Sequence, residues 1–207
     1  DGDWAVVTRK GVEIHDVTNR IVERAVLKSN ASAFLVDKGN HRHFMVKEIY
    51  EQPAAISDTL GAYIAPLRGR VELPKLGVEI AAISKLTIVG CGTAFYAGCV
   101  AKYWFEQLAR LPVEVDVASE FRYRAAAMQN GGLSVFISQS GETADTLAAL
   151  RYCRSQGQII ASVVNVAASS IARESDVIFP THAGPEIGVA STKAFMCQLT
   201  ALAALAI

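Results

Sequence analysis

The sequence predicts an α/β fold, a three-layer αβα sandwich around a mostly parallel sheet of five strands. From residue 86 onward, short apolar runs alternate with segments that have helical spacing. Strands that alternate with helices need crossover connections, which favour a parallel sheet covered by helices on both faces. The composition, with 51% hydrophobic and 19% charged residues, rules out intrinsic disorder.

The predicted elements follow one another in chain order from residue 86. The strands are predicted at residues 86–89, 113–118, 133–137, 159–166 and 176–179. The helices are predicted at residues 94–109, 143–156, 170–174 and 193–207. Ligands of such sheets bind in crevices beyond the carboxyl ends of the strands, so a site is expected there.

The N-terminal 60 residues have a different pattern. Residues 4–8, 12–15 and 21–27 are short β-rich runs, separated by turn residues. Two or three strands rarely form a stable unit alone, so we expect this part to complete a domain that begins upstream. After a linker-like stretch, residues 44–52 predict a helix that Pro53 interrupts. The absence of an initiator methionine also favours a segment of a longer protein.

Composition argues against several classes of function. Twenty basic and twenty acidic residues give a formal net charge of zero, which disfavours a nucleic-acid partner. The longest apolar run, residues 201–207, is far shorter than the roughly 20 residues that cross a bilayer, so no membrane partner is expected. None of the four cysteines forms a C-x-x-C pair, and His41 and His43 would not share a helix face, so no metal is expected. The scattered cysteines suggest reduced thiols in a cytoplasmic protein.

Three segments rich in small or hydroxyl residues stand at predicted helix starts, at residues 90–94, 138–143 and 188–193. The first begins G-x-G, but Phe95 occupies the position of the third glycine in the dinucleotide fingerprint. A G-x-x-x-x-G-K-[ST] loop is also absent from the sequence. No nucleotide cofactor is therefore expected.

The second segment predicts a phosphate site. Ser138, Ser140 and Thr143 supply three hydroxyls and Gln139 an amide, next to the amide groups of a helix N-terminus. Gly141 is expected to let a ligand approach the backbone. Together these groups could hold a phosphate monoester without a basic residue. The alternative is an ordinary N-cap, a position at which Ser and Thr are preferred.

Charged residues near these segments leave alternatives open. Glu142 is interpreted as a first-turn carboxylate that complements the helix dipole. Glu186, just before the third segment, either touches a ligand or is a solvated loop acid. Residues 120–124 combine two arginines with two aromatic rings, and either clamp a neighbouring domain or subunit through carboxylates or are solvated.

Longer motifs resemble a known family. Residues 138–146 resemble the signature of sugar isomerase (SIS) domains, which have a flavodoxin-like sheet. Residues 47–53, 118–124 and 186–193 resemble motifs of glutamine–fructose-6-phosphate aminotransferases (isomerizing), the glucosamine-6-phosphate synthases. The four motifs occur in the family's order, and the resemblance covers essentially the whole chain.

The resemblance implies the middle section of an enzyme that converts fructose 6-phosphate and glutamine to glucosamine 6-phosphate and glutamate. Residues 1–28 would be the last strands of a glutaminase domain, residues 29–60 a linker and the first isomerase helices, and residues 61–207 a C-terminally truncated first SIS domain. The implied partners are fructose 6-phosphate or glucosamine 6-phosphate and a second subunit in a homodimer, without a cofactor. The family's catalytic groups match no residue here, so the chain alone should be inactive.

The resemblance also implies a set of binding residues. The sugar-phosphate contacts would be Thr93, Ser138, Gln139, Ser140 and Thr143, and the sugar site would be lined by Val189 and Ser191, with Glu186 beside them. Ala94 stands where the family commonly has serine, which would weaken binding by roughly 0.5–1.5 kcal/mol for one neutral hydrogen bond. The alternatives are a non-catalytic, phosphosugar-sensing SIS module and a sugar isomerase without a glutaminase part. The β-rich N-terminal residues disfavour the sensing module.

Overall fold

The computed structural model describes residues 2–25, 37–77, 79 and 82–207. The chain divides into two compact units, Asp1–Ala33 and Phe34–Ile207. The boundary predicted between residues 28 and 29 lies outside the described residues. No helix among the described residues is long and apolar enough to span a membrane.

The first unit contains a β-hairpin. Strands β1 (Trp4–Thr8) and β2 (Gly11–His15) pair antiparallel, as the pattern of residues 4–15 predicts. The rings of Trp4 and His15 stack with their centroids 4.1 Å apart. The prediction of a third strand at residues 21–27 is wrong for the part that is described, because only Ile21 forms a bridge, to His15. Residues 26 and 27 lie outside the described residues.

In the second unit, helix α1 (Phe44–Gly61) continues through Pro53, so the predicted interruption is wrong. Proline removes the hydrogen bond that would end at the Ile49 carbonyl. Pro53 lies on the exposed face, where water can hydrate that carbonyl. On the opposite face, buried Ala55 belongs to an apolar cluster with Ala194 and Cys197 of the last helix, and this packing stabilises the helix across the proline.

A hairpin with strands of only two residues follows α1, and the sequence analysis did not predict it. Strands β3 (Ile64–Ala65) and β4 (Arg70–Val71) pair antiparallel, and Gly69 takes a positive φ of 60° in their turn. Runs of two residues are too short to show strand alternation in the sequence.

The main sheet confirms the predicted fold class. Its strands are β5 (Leu86–Gly90), β6 (Val113–Val117), β7 (Leu133–Ser138), β8 (Ile159–Val164) and β9 (Val177–Pro180). They are all parallel in the order β6-β5-β7-β8-β9. Each overlaps the strand predicted at its position, and the boundaries differ by one or two residues.

Helices cover both faces of this sheet. They are α2 (Thr93–Trp104), which runs on into a π-helical turn (Phe105–Ala109), α3 (Ala118–Phe121), α4 (Ala144–Ser155), α5 (Ser170–Arg173) and α6 (Lys193–Ala206). Ile88 of β5 packs in one core cluster with residues of α2 and α6, and the next residue, Val89, packs in a second cluster with residues of α3, α4 and α5. Successive strand residues therefore serve opposite layers, which produces the αβα sandwich.

The arginines of residues 120–124 pair within this unit. Arg122 donates to Asp145 at 2.8 Å, and Arg124 donates to Asp116 at 2.6 Å and to Glu114 at 2.5 Å. The hydrogen bond to Asp145 is the main cause that raises the pKa of the Arg122 guanidinium above its usual value. Both guanidinium groups are therefore held against the sheet and α4 by carboxylates of the same chain.

Candidate functional site

A polar pocket of ≈ 260 Å³ lies beyond the carboxyl ends of β5 and β7. All eight residues that the sequence predicts as ligand contacts line it. They are Thr93, Ser138, Gln139, Ser140, Thr143, Glu186, Val189 and Ser191. Val189 is fully exposed and Ser138 is buried. The structure thus brings together three segments that are up to 98 residues apart in the sequence, as the numbering of Thr93 and Ser191 shows.

The sheet topology explains the position of the pocket. Chain order reverses at β5: the chain crosses through α2 to β6 on one side, whereas β7, on the other side, continues through α4 to β8. Helices α2 and α4 belong to opposite layers. The segments that follow β5 and β7 therefore diverge, and a crevice opens between them at the carboxyl edge of the sheet.

The segment after β7 folds around its own hydroxyl groups. The Ser138 Oγ accepts a hydrogen bond from the Gly141 N–H at 3.0 Å and lies 3.0 Å from the Thr143 Oγ1. The Ser140 Oγ accepts from the Glu142 N–H at 3.2 Å. Among the described residues the Ser140 hydroxyl has no acceptor for its own hydrogen, so it can donate to a ligand.

The start of α4 is open to an anion. Thr143 occupies the N-cap position, but its side chain makes no capping hydrogen bond within the described chain and meets Ser138 instead. The geometry therefore does not support the alternative that the sequence left open, in which the Thr143 side chain caps α4. The first amide N–H groups of a helix carry a partial positive charge and need acceptors. An anionic group in the pocket would supply one.

Gly141 and Glu142 fasten this segment to α5. Gly141 has a positive φ of 66°, and a Cβ there would lie 1.9 Å from the Ser169 Oγ. The expectation that Gly141 makes room for a ligand is therefore wrong, because the side of the backbone that lacks a Cβ faces Ser169. The assignment of Glu142 to the first turn of α4 is also wrong, because α4 begins at Ala144. The Glu142 carboxylate accepts from the Ser170 N–H at 2.7 Å, and this hydrogen bond lowers its pKa.

Asn165, directly after β8, fixes a further part of the same wall. Its N–H donates to the Gln139 carbonyl at 3.2 Å, and its Oδ1 accepts from the Ala183 N–H at 2.9 Å. Its Nδ2 donates to the Gly184 carbonyl at 3.0 Å. Sequence reasoning did not find this residue, although an asparagine at a strand end is a common turn residue.

Glu186 caps α6. Its Oε1 accepts from the Thr192 N–H at 2.8 Å and from the Ala194 N–H at 3.2 Å, and its Oε2 accepts from the Ser191 hydroxyl at 3.1 Å. The carboxylate lines the pocket but is already engaged by its own helix. Helices α2, α4 and α6 all begin at the pocket, and of these three only α6 has its N-terminus capped by a carboxylate of the described chain. The starts of α2 and α4 are left to favour an anion.

Glu48 supports the third segment and was not predicted. This glutamate of α1 is 2% exposed, and its Oε1 accepts from the Ile187 N–H at 2.6 Å and from the Gly188 N–H at 3.0 Å. A Cβ on Gly188 would lie 2.4 Å from the Glu48 Oε2. The absence of a side chain at Gly188 therefore lets the carboxylate reach the backbone. Residues 47–53 stand out in the sequence as a motif, but nothing in them indicates this distant partner.

Lys193 forms the second link between α1 and the third segment. It is buried, and its Nζ donates to the Glu51 Oε2 at 2.7 Å. Burial raises the pKa of Glu51, but the hydrogen bonds and charges of Lys193 and Lys47 outweigh that effect, so the pKa lies below its usual value. Lys193 does not line the pocket, and the described lining residues include no basic side chain. Any anion there would depend on hydroxyl and amide donors.

The segment after β5 forms the opposite wall. Gly92, with a φ of 56°, precedes α2, and Ala94 in the first turn of α2 lines the pocket. Cys91 lies nearby and contacts the Thr146 hydroxyl, with 3.9 Å between Oγ1 and Sγ. The described residues contain no group of three His, Cys, Asp or Glu side chains arranged to hold a metal.

Comparison with known proteins places this architecture in a family. A family model described as SIS domain matches residues 79–207. The chain belongs to the SIS domain family. The matched range contains all five strands of the parallel sheet and every predicted site residue. Helix α1 precedes the range that matches the SIS domain. Its residues Glu48 and Glu51 nevertheless hydrogen-bond to the third segment of the pocket, which lies within that range.

Curated relatives confirm the more specific resemblance. The chain is 62% identical over 206 residues to glutamine–fructose-6-phosphate aminotransferase (isomerizing) of Zymomonas mobilis, and 62% identical over 207 residues to that of Brucella abortus. Each alignment covers 100% of this chain and 34% of the relative. The chain with its SIS domain thus spans about a third of the length of the curated relatives it matches.

Solved structures share the fold. The C-terminal domain of glucosamine-fructose-6-phosphate aminotransferase from Francisella tularensis has 48% sequence identity and a TM-score of 0.77, over 82% of this chain and 48% of that chain. Glucosamine-6-phosphate deaminase from Thermotoga maritima has 21% identity and a TM-score of 0.66, over 79% of this chain and 48% of that chain. The second likeness, at this identity, concerns the SIS fold alone.

Proposed function

We propose that this chain is the phosphosugar-binding middle section of a glutamine–fructose-6-phosphate aminotransferase (isomerizing), and that its pocket holds fructose 6-phosphate and glucosamine 6-phosphate. The proposal rests mainly on the structure at the start of α4. Its amide groups lack a capping side chain within the described chain, and the hydroxyls of Ser138, Ser140 and Thr143 surround them.

The donors of this site suit a phosphate that must later be released. Backbone N–H groups and hydroxyls can bind phosphate oxygens without a basic side chain, and the dipole of α4 favours the negative charge. The sugar would then extend toward Val189 and Ser191 of the third segment. The eight pocket residues act in binding under this proposal, and no catalytic role is assigned to any of them.

The relatives support the enzyme over a phosphosugar-sensing module. Two aminotransferases of this type are 62% identical to the chain over its whole length. In the proposed parent enzyme, ammonia from glutamine joins the opened ketose, and a carboxylate base then moves a proton between C1 and C2. The chain would contribute binding and orientation to these steps. A cytoplasmic location is proposed because all four cysteines are free.

Removing two hydroxyls of the second segment is expected to abolish phosphosugar binding. Calorimetric titration of the unaltered chain with fructose 6-phosphate should give a binding isotherm, and unphosphorylated fructose should give none. The double variant Ser138→Ala with Ser140→Ala loses two donors and the acceptor that shapes the Gly141 turn. We expect its affinity for fructose 6-phosphate to fall by about a hundredfold or more, from roughly 1.5 kcal/mol for each hydrogen bond to a charged group.

The matched control is Ser155→Ala at the other end of the same helix. Its hydroxyl donates to the Tyr152 carbonyl and lies outside the pocket lining. This variant should bind fructose 6-phosphate as the unaltered chain does. Equal binding of fructose and fructose 6-phosphate, or full affinity in the double variant, would contradict the proposed function.

We also propose that the chain forms a homodimer. Tyr96 and Tyr103 of α2 are 62% and 64% exposed, and Val100 lies between them on the same helix face. Contiguous exposed apolar side chains mark interaction surfaces in soluble proteins. Light scattering should give twice the mass of the chain, and Tyr96→Glu with Tyr103→Glu should reduce it to the monomer mass. A monomer mass for the unaltered chain at micromolar concentration would refute the dimer.

A further inference from the structure

A buried carboxamide in the pocket has no hydrogen-bond partner among the residues that the structure describes. Gln198 lies on α6, is 3% exposed and lines the pocket beside the third segment. Its Oε1 is buried, and none of the described residues donates a hydrogen bond to it. Its amide nitrogen also has no acceptor among them. Every other polar side chain that lines the pocket either makes a hydrogen bond or is partly exposed to solvent.

Such a group is unusual in a folded protein. A buried amide without partners loses its hydrogen bonds to water and gains none in return, so nearly all buried polar side chains are paired. Gln158 shows the ordinary case in this molecule. It is 8% exposed, and its Nε2 donates to the Gln129 carbonyl at 2.5 Å. Four other residues among those described also have a buried side-chain atom without a partner, but of these five residues only Gln198 lines the pocket, where a ligand can pair with it.

The position of Gln198 separates it from the phosphate-binding groups. Ser138 and Ser140 lead into α4, which packs in one helix layer, whereas Gln198 is in the second turn of α6, which packs in the opposite layer. A phosphate held at α4 leaves the hydroxyl groups of the sugar to meet the α6 side. A hydroxyl both donates and accepts, so it can pair with either end of a carboxamide.

We infer that Gln198 is a further substrate-binding residue, whose carboxamide hydrogen-bonds a hydroxyl group of the bound sugar. This inference rests on the proposed function, because it takes the ligand to be a hexose 6-phosphate. It assigns to Gln198 the recognition of the sugar, and to the segment after β7 the recognition of the phosphate. The residue contacts no reacting atom in this assignment and is not a catalytic residue.

The test is Gln198→Met, which keeps an unbranched side chain of similar length and removes the polar atoms. Without ligand, the variant is expected to melt higher than the unaltered chain by about 2–4 °C, because an unpaired buried amide has been replaced by an apolar group. In calorimetric titration its affinity for fructose 6-phosphate should fall by about three- to tenfold, as for one lost hydrogen bond. Its affinity for inorganic phosphate should stay unchanged.

The matched control is Gln158→Met, which removes a paired amide away from the pocket. It should melt lower than the unaltered chain and bind fructose 6-phosphate normally. Unchanged fructose 6-phosphate affinity in Gln198→Met would overturn the inference and leave the proposed function intact. A lower melting temperature in that variant would also overturn it, because it would show that the amide is paired in the free protein. Failure of the unaltered chain to bind fructose 6-phosphate would instead contradict the proposed function, and the inference with it.

Discussion

Glu48→Ala is expected to lower the free energy of unfolding by about 2–6 kcal/mol, because each of two backbone donors left without an acceptor costs about 1–3 kcal/mol. The carboxylate is buried and accepts from two backbone N–H groups, of Ile187 and Gly188. Alanine leaves both donors without an acceptor and opens a cavity beside α1. Urea unfolding followed by circular dichroism measures the change. The same variant should lose fructose 6-phosphate binding, because the third segment forms one wall of the pocket.

Glu106→Ala provides the control. Glu106 pairs with Lys102 at 3.0 Å on the surface, with both side chains well exposed, and such pairs contribute about 0–1 kcal/mol. Glu48→Gln keeps the side-chain volume and one strong acceptor, so its free energy of unfolding should lie between those of the two alanine variants. A Glu48→Ala protein that unfolds at the same urea concentration as Glu106→Ala would show that the third segment does not depend on α1.

Gly141→Ala is expected to destabilise the fold by about 2–5 kcal/mol and to abolish phosphosugar binding. Two effects add: roughly 1–2 kcal/mol for an L-residue in the left-handed region, and about 1–3 kcal/mol for a methyl group forced into packed atoms. The added Cβ would lie 1.9 Å from the Ser169 Oγ, so the segment must move away from α5. That movement would displace Ser140 and the start of α4 from the positions in which they are proposed to bind the phosphate. Thermal unfolding and titration with fructose 6-phosphate measure the two effects.

Gly69→Ala separates these effects. Gly69 has a φ of 60°, close to the 66° of Gly141, and nothing lies within 4 Å of the position where its Cβ would be. It should show the backbone effect alone, about 1–2 kcal/mol, with normal ligand binding. If the two alanine variants were equally stable and both bound fructose 6-phosphate, the contact with Ser169 would not hold the segment in place.

Local sequence patterns predict the five strands of the main sheet and the polar cluster at residues 138–143, whereas Thr93, Val189 and Ser191 are predicted only through the family resemblance. The five strands of the main sheet follow from short apolar runs, and their parallel order follows from the helices between them. Ser138, Ser140 and Thr143 could be placed at one site because they lie in one segment between a predicted strand and a predicted helix, at the carboxyl edge where ligands of such sheets bind. The hydroxyls stand within six residues of one another, so their chemistry is visible in the sequence alone.

Several of the errors have a common cause, since they concern a partner far away in the sequence. Pro53 is tolerated because α6 packs against the other face of α1, which no pattern near residue 53 shows. Gly141 and Glu142 were given roles toward a ligand and toward α4, whereas their contacts are with Ser169 and Ser170. The roles of Glu48 and Gln198 were missed because both depend on three-dimensional neighbours.

Two carboxylates hold the third segment from opposite ends. Glu48 accepts from the backbone at residues 187 and 188, and Glu186 accepts from the backbone at residues 192 and 194. Between them lie Val189 and Ser191, which line the pocket. The protein itself therefore positions the wall that Val189 and Ser191 form. A ligand that binds to this wall need not supply free energy to order it.

The contact between Glu48 and the backbone at residues 187–188 joins points 139 and 140 positions apart in the chain. Closing so long a loop costs conformational entropy before any contact repays it, so contacts of this kind slow folding and tend to form late. We therefore expect the contact between Glu48 of α1 and the two amides to form after β5 through β9 have assembled. The pocket is accordingly finished at the end of folding, and a partly folded chain would contain the hydroxyls of residues 138–143 without the wall that faces them.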